Sequence, residues 1–183
     1  MIDHMGELLK YDYYQPHEWT LQSKTLMQQP REMAVLSYWI EYLGVKTFLE
    51  LGCAGGGVLH YFLNVLGLKG YGLDVVSPTM VEPECVHLGD CHSGESQKWA
   101  KAHGPYDMIF IDADHSFYAV KMDYELYHKM ATKIIVFHDI YHDEYHGPRI
   151  FWNSLPGDKL EIWAPGQQVL GIGILFLEEH IVP

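Results

Sequence analysis

The sequence is short of basic residues and of cysteine, and each shortage excludes a class of protein. Lys and Arg number 12 against 24 Asp and Glu, which gives a formal net charge of −12. Binding to a nucleic-acid backbone needs clustered basic side chains, so we expect no nucleic-acid partner. The cysteines Cys53, Cys85 and Cys91 cannot all pair with one another and lack the C-x-x-C spacing. We therefore expect neither a disulfide framework nor a structural zinc site.

Long apolar runs are also missing. None approaches the roughly 20 residues that a membrane-spanning helix requires, and the N-terminus lacks the basic stretch and apolar core of a secretory signal. We therefore expect a cytoplasmic protein that does not contact a membrane. The 183 residues, 48% of them hydrophobic, suit one globular domain with a buried core.

Residues 1–30 differ from the rest of the chain because they carry aromatic side chains without a sustained period. Examples are Tyr11, Tyr13, Tyr14 and Trp19. We expect residues 1–30 to form an extension that packs on a main domain over 31–183. The same aromatics leave two further roles open: a lid over a substrate, and a contact between two copies of the chain in a homo-oligomer.

Beyond Gly44, short apolar runs alternate with longer, more polar segments of helical period. That alternation predicts βα units, and hence an α/β fold of the Rossmann-like three-layer αβα type. The last two runs lie close together, which predicts a hairpin. The sheet should have seven strands, mostly parallel, with an antiparallel C-terminal hairpin strand. We predict strands over 47–51, 70–73, 85–88, 108–111, 133–137, 160–163 and 169–176, and helices over 31–43, 57–66, 96–103, 116–130 and 148–155.

The first strand runs into a glycine-rich turn, residues 52–57, that opens a helix. Glycines allow a tight turn and let a ligand approach the backbone, while the helix N-terminus supplies unpaired N–H donors. A dinucleotide fingerprint would need a glycine where Ala54 stands. Glu50, two residues before the first glycine, would repel a pyrophosphate but accept a hydrogen bond from an ammonium group. The turn therefore favours a zwitterionic ligand over a dinucleotide.

The spacing Glu50-x-Gly52-x-Ala54-x-Gly56 resembles the first motif of class I S-adenosylmethionine-dependent methyltransferases. The resemblance implies that these four residues bind the methionine part of S-adenosylmethionine (SAM).

Two further acidic residues extend the cofactor site. Asp74 ends the second strand, close to the ~20-residue offset of a carboxylate that binds ribose hydroxyls. Asp90 follows the third strand, and the same resemblance implies that it contacts the adenine ring. Ligands of open α/β sheets bind beyond the carboxyl ends of the strands, where both residues lie.

The fourth and fifth strands each deliver a carboxylate and an imidazole to their carboxyl ends. Asp112 and His115 follow the fourth strand, and His138 and Asp139 follow the fifth. Methyl transfer to oxygen requires that the acceptor hydroxyl lose its proton close to the methyl carbon. Two routes stay open: Asp112, His138 and Asp139 bind Mg²⁺ or Mn²⁺, or His115 acts as the general base, since an imidazole has a pKa of about 6.5.

These two segments resemble the metal-dependent small-molecule O-methyltransferases, notably the group that acts on macrolide sugars and antibiotic-pathway compounds. The resemblance implies that Asp112, His138 and Asp139 fall on the metal-ligand positions. We therefore predict an enzyme that methylates a hydroxyl of a small molecule. Two alternatives stay open: a SAM- or nucleotide-binding protein without turnover, and a nucleotide-linked oxidoreductase or hydroxylase component of the same fold.

Overall fold

A seven-stranded sheet forms the centre of the protein. The computed structural model describes residues 3–13, 25–26, 28–165 and 170–177. All seven predicted strands are present, and their order in the sheet is β3-β2-β1-β4-β5-β7-β6. Every neighbouring pair is parallel except the two pairs that β7 makes, with β5 and with β6. The strands are β1 Thr47–Leu51, β2 Lys69–Asp74, β3 Val86–Leu88, β4 Tyr106–Ile111, β5 Ala131–Phe137, β6 Lys159–Ile162 and β7 Ile172–Phe176.

The predicted fold class is therefore confirmed, including the antiparallel C-terminal strand. Leu160 pairs with Ile174, which is the register of an antiparallel hairpin. Part of the connection between these strands, residues 166–169, lies outside the described ranges.

Six α-helices cover the described chain outside the sheet, and their starts follow the capping rules. Pro30 occupies the first turn of the second helix, and the fourth and fifth helices begin after the N-cap side chains of Ser93 and Ser116. The helices are α1 His4–Leu8, α2 Pro30–Tyr42, α3 Gly57–His60, α4 Gly94–His103, α5 Phe117–Tyr127 and α6 His146–Ser154.

Two predicted helices end in other helical forms. The helix predicted over 57–66 is an α-helix only to His60 and continues as a π-helix over Tyr61–Val65, where Leu66 N donates to Tyr61 O. The helix predicted over 116–130 closes with a 3-10 turn, His128–Met130. Side-chain periodicity responds to which residues are buried and cannot separate these neighbouring hydrogen-bond patterns.

The core has two layers, one on each face of the sheet. On one face α2 and α3 pack on strand residues such as Phe48 and Phe110. On the other face α5 and α6 pack on strand residues such as Ile109 and Phe137. Both faces are covered, which is why the strand sequences are almost continuously apolar.

The N-terminal segment contributes to the first layer. Leu8 of α1 and Leu26 are fully buried there, together with Tyr11. The prediction of an N-terminal extension also used three other aromatic residues. Tyr14, Trp19 and the side chain of Tyr13 lie outside the described residues. None of the helices in the described ranges has the length and apolarity to span a membrane.

Candidate active site

The strand register brings four chain turns together at the carboxyl edge of the sheet. Leu51 pairs with both Leu73 and Ile111, and Ile111 pairs with Phe137. The residues that follow these strand ends therefore lie side by side at that edge. They are Gly52, Asp74, Asp112 and His138.

The glycine-rich turn is fixed by backbone geometry. Gly52 and Gly56 have φ of +82° and +85°, and Ala54 has φ of +45°. A Cβ on Gly52 would lie 2.2 Å from the backbone oxygen of Asp112, so only glycine fits. Gly56 faces away from the cavity, against Pro78, and its contribution is to the shape of the turn.

Asp74 holds the turn from the neighbouring strand. One carboxylate oxygen accepts from the backbone N–H of Cys53 at 2.6 Å and of Ala54 at 2.8 Å. The other accepts from Val76 N at 2.8 Å. Asp74 also lines the cavity, so the same carboxylate shapes the turn and faces the space that a ligand would fill.

Glu50 is a buried carboxylate at the cavity wall. It is 1% exposed, and its Oε2 has no hydrogen-bond partner among the described residues. Burial raises the pKa of Glu50 well above its usual range, and the nearby carboxylates of Asp112 and Asp74 raise it further. An ammonium in the cavity would offset this accumulation of carboxylates.

Asp90 lies at the other end of the cavity beside residues that sequence reasoning missed. Its carboxylate accepts from His92 N at 2.9 Å. The imidazole of His92 is 3.0 Å from Oδ1 of Asp123, a fully buried side chain of α5. The thiol of Cys91 donates to the same oxygen, and burial and that carboxylate raise the pKa of Cys91. The sequence signal for Asp123 is that an acidic residue stands on the otherwise apolar face of α5.

The four residues expected at the acceptor end form one cluster. His115 Nε2 lies 2.7 Å from Asp139 Oδ2 and 3.6 Å from Asp112 Oδ1. His138 Nδ1 lies 3.2 Å from Asp112 Oδ1 and 3.2 Å from Asp139 Oδ1. The ring of His115 also stacks on Tyr145 at a centroid distance of 4.8 Å.

Mutual attraction between imidazoles and carboxylates controls protonation in this cluster. Burial alone would lower the pKa of His115, but hydrogen bonds and charges of Asp112 and Asp139 raise it to about 9. The same carboxylates raise the pKa of buried His138. Burial would raise the pKa of Asp139, but His138 and His115 hold it below its usual range. The two carboxylates therefore favour the protonated form of each imidazole.

The cluster also has the composition of a cation site. One ligand atom from each of Asp112, His138 and Asp139 lies within 4.8 Å of the others. Both ring nitrogens of His138 and Oδ1 of Asp139 are buried without a well-directed hydrogen bond in the described chain. Asp139 adopts φ of +58°, a strained conformation typical of functional sites. These residues fit Mg²⁺ or Mn²⁺, which prefer carboxylate oxygens.

A single cavity of about 840 Å³ joins the two ends of the site. Glu50 and the turn at Gly52 line it on one side, Asp90 and His92 at one end, and Asp112 at the other. His115, His138 and Asp139 line it as well. The volume falls within the range of small-molecule sites, roughly 300–1,000 Å³.

This fold and site define a class of protein. A mostly parallel sheet with one antiparallel strand, an acidic residue and glycine-rich turn after β1, and acidic residues after β2 and β3 are the features of class I methyltransferases. The chain belongs to the family described as "Methyltransferase domain", whose sequence model matches residues 49–140, half of the chain. The resemblance read from the sequence is therefore confirmed.

Solved structures with low sequence identity share the fold. The O-methyltransferase from Bacillus cereus, in complex with SAH, has a TM-score of 0.61 at 15% identity, covering 97% of this chain and 92% of that chain. The O-methyltransferase TomG from Streptomyces achromogenes, involved in tomaymycin synthesis and in complex with SAM, has a TM-score of 0.58 at 15% identity, covering 81% and 80%.

A third structure contains Mg and mycinamycin VI. The MycE methyltransferase from the mycinamycin biosynthetic pathway, in complex with Mg, SAH and mycinamycin VI, has a TM-score of 0.62 at 16% identity. The match covers 94% of this chain and 53% of that chain. Among curated protein sequences no match is found.

Proposed function

We propose that this protein transfers the methyl group of SAM to a hydroxyl oxygen of a small molecule. The observation that carries the proposal is the single cavity. It joins the buried carboxylate of Glu50, whose Oε2 has no hydrogen-bond partner in the described part of the chain, to the cluster around Asp112. TomG and MycE, which belong to natural-product pathways, support an acceptor of that kind.

SAM would be bound at the cofactor end through charged side chains and through contacts with the backbone. Glu50 accepts a hydrogen bond from the α-ammonium of SAM, and the turn that begins at Gly52 lies against the methionine part. Asp74 would bind the ribose hydroxyls, and Asp90 would contact the adenine ring. A charge-assisted hydrogen bond of the kind proposed for Glu50 contributes about 1.5–3 kcal/mol.

At the acceptor end, the hydroxyl oxygen attacks the methyl carbon in line with the C–S bond. That bond breaks with its electron pair on sulfur, which leaves S-adenosylhomocysteine (SAH) and a methyl ether. The proton of the hydroxyl must pass to a base, and His115 is the imidazole nearest to solvent in the cluster. Because Asp112 and Asp139 favour the protonated form of His115, the imidazole can accept the hydroxyl proton only after it has lost its own, which balancing the charge of the two carboxylates would promote.

Asp112, His138 and Asp139 would hold a divalent cation, Mg²⁺ or Mn²⁺. Such an ion balances the carboxylates and lowers the pKa of an oxygen bound to it. The presence of Mg in MycE supports this part of the proposal.

The remaining expectations belong to the same proposal. Three cysteines and an excess of acidic side chains favour a cytoplasmic protein whose partner is a small molecule and not a nucleic acid. Tyr38 and Tyr42 form an exposed stacked pair on α2. This pair is a candidate contact between two copies of the chain, and the oligomeric state in solution tests it.

The test is isothermal titration of the protein with SAM, SAH and NAD. We expect micromolar binding of SAM or SAH and none of NAD. Absence of SAM and SAH binding would overturn the proposal, and binding of NAD in their place would favour the oxidoreductase alternative.

Variants at Glu50 test the orientation of the cofactor. Glu50→Gln should weaken SAH by about 10- to 100-fold, the loss of one charge-assisted hydrogen bond. Binding of 5′-methylthioadenosine, which has no ammonium, should not change. Exposed Glu125→Gln serves as the matched control. Equal weakening of both ligands would show that Glu50 does not contact the ammonium.

A further inference from the structure

Gln28 reaches the acceptor end from outside the sheet. It precedes α2, is 4% exposed and lines the cavity. Its Nε2 lies 2.7 Å from Oδ2 of Asp112, 84 positions further along the chain. Sequence reasoning assigned no role to this residue.

The chemistry of the pair fixes the orientation of the amide. An ionised carboxylate only accepts hydrogen bonds, so the NH₂ group of Gln28 must face Asp112. That bond occupies Oδ2 and leaves Oδ1 of Asp112 directed at His138, 3.2 Å away. The two oxygens of Asp112 therefore have different tasks.

The start of α2 holds Gln28 in a fixed place. Gln29 is the N-cap and Pro30 the first helical residue. Glu32, fully buried in the first turn, accepts from Ala164 N at 3.1 Å and from Gly171 N at 2.9 Å. These bonds tie the helix start to the segments that flank β6 and β7.

A packing role alone does not explain a polar side chain here. Oε1 of Gln28 is buried and has no hydrogen-bond partner within the described chain. Burying an amide with half of its hydrogen-bonding capacity unused costs stability, which an apolar side chain of equal size would avoid. The one hydrogen bond that the amide does form in the described chain goes to Asp112.

We propose that Gln28 is a positioning residue that orients the Asp112 carboxylate toward the cation site. This inference rests on the proposed function, because it assigns Asp112 to that site. Hydrogen bonds from a neighbouring residue to a metal-binding carboxylate hold it in the ligating orientation, and their loss typically weakens metal binding by about 10- to 100-fold.

The test is Mn²⁺ affinity, followed by electron paramagnetic resonance, of Gln28→Met and a matched control. Methionine keeps the length of the side chain and removes the amide. Gln29→Met makes the same change one residue away, where the side chain forms no cap hydrogen bond. We expect Gln28→Met to weaken Mn²⁺ at least 10-fold and Gln29→Met to leave it within twofold. Both should bind SAH as the unmodified protein does.

A second variant, Gln28→Asn, keeps the amide but shortens the side chain by one methylene. It should also weaken Mn²⁺, because the donor no longer reaches Oδ2. The proposal is overturned if both Gln28 variants bind Mn²⁺ within twofold of the unmodified protein, or if the unmodified protein binds none. Absence of SAH binding to the unmodified protein would contradict the proposed function separately, since Mn²⁺ is titrated without cofactor.

Discussion

At position 52 there is room for a hydrogen atom and nothing larger. The main chain of Asp112 passes against Gly52, so the turn after β1 and the end of β4 are in direct backbone contact. Three residues later the situation is reversed, because nothing lies within 4 Å of a Cβ placed on Gly55. These two glycines of one turn therefore form a matched pair for mutation.

Gly52→Ala should destabilise the protein by at least about 2 kcal/mol, since it combines a left-handed backbone angle with steric overlap. Gly55→Ala should stay within about 0.5 kcal/mol of the unmodified protein. Urea unfolding measures both, and titration with SAH should show binding lost in Gly52→Ala. Equal stabilities of the two variants would show that the turn yields to the added methyl.

Glu161 of β6 connects the edge of the sheet to α6. It accepts hydrogen bonds from Trp152 Nε1 at 2.7 Å, from Arg149 Nη1 at 3.0 Å and from the hydroxyl of Tyr141. Burial would raise the pKa of Glu161, but these three donors lower it below its usual value. The carboxylate is thus more stable in the folded chain than in the unfolded chain.

Since the folded pKa of Glu161 is below the unfolded one, its contribution to stability is present above the unfolded pKa of about 4.3 and is lost as pH falls through the folded value. Glu161→Gln should therefore reduce the loss of stability on acidification. The free energy of unfolding at pH 7 and below pH 4 measures this. Exposed Glu82→Gln is the control, and an unchanged pH dependence in Glu161→Gln would contradict the assignment.

Among the elements, α6 determines where the residues before α5 can lie. A Cβ on Gly147 would come 2.2 Å from the backbone oxygen of His115 and 2.4 Å from Phe117 N. The first turn of α6 therefore packs directly on the main chain that carries His115. By contrast, Gly94 in the first turn of α4 has open space around it.

Gly147→Ala should push α6 away from α5 and destabilise the protein by about 1–3 kcal/mol. Gly94→Ala should be neutral or stabilise it by up to about 1 kcal/mol, because alanine is the better helix former. Urea unfolding of both variants decides the point. If Gly147→Ala is as stable as Gly94→Ala, the packing of α6 on the His115 segment is not tight.

At this scale the sequence was a good guide to the elements and to part of the site. Apolar runs flanked by glycine or aspartate mark the strands, and polar residues directly after a strand must lie at its carboxyl edge. Asp112, His115, His138 and Asp139 could be found for that reason. The π-helical turn after His60 could not be predicted, because side-chain periodicity does not distinguish one helical hydrogen-bond pattern from another.

Gln28 and His92 escaped sequence reasoning for a different reason. Their contacts are distant in the sequence. Gln28 contacts Asp112, 84 positions away, and His92 contacts Asp123, 31 positions away. Nothing near them in sequence indicates the partner. Only the assembled fold brings Gln28 and His92 to the cavity.

At the scale of the whole molecule, the question is whether the N-terminal helix α1 unfolds together with the sheet. Leu8 of α1 is fully buried in the core of one sheet face, while its neighbour Leu9 is 63% exposed. Tyr11, also buried, contacts His60 through its hydroxyl at 2.8 Å. The segment before α2 thus shares its core with the sheet.

Leu8→Ala should lower the free energy of unfolding by about 2–4 kcal/mol through the cavity that it leaves. Leu9→Ala should change it by less than about 0.5 kcal/mol. Tryptophan fluorescence and circular dichroism should give one coincident unfolding transition. If Leu8→Ala instead leaves the main transition unchanged, α1 unfolds independently of the sheet.

The path of the chain before α2 also bears on which parts of the site can be exchanged separately. The turns at Gly52 and Asp74 belong to the sheet edge, whereas Gln28 arrives from a segment that contributes no strand to it. Chimaeras joined at the start of α2 would therefore replace the residue beside Asp112 and leave the turns at Gly52 and Asp74 in place.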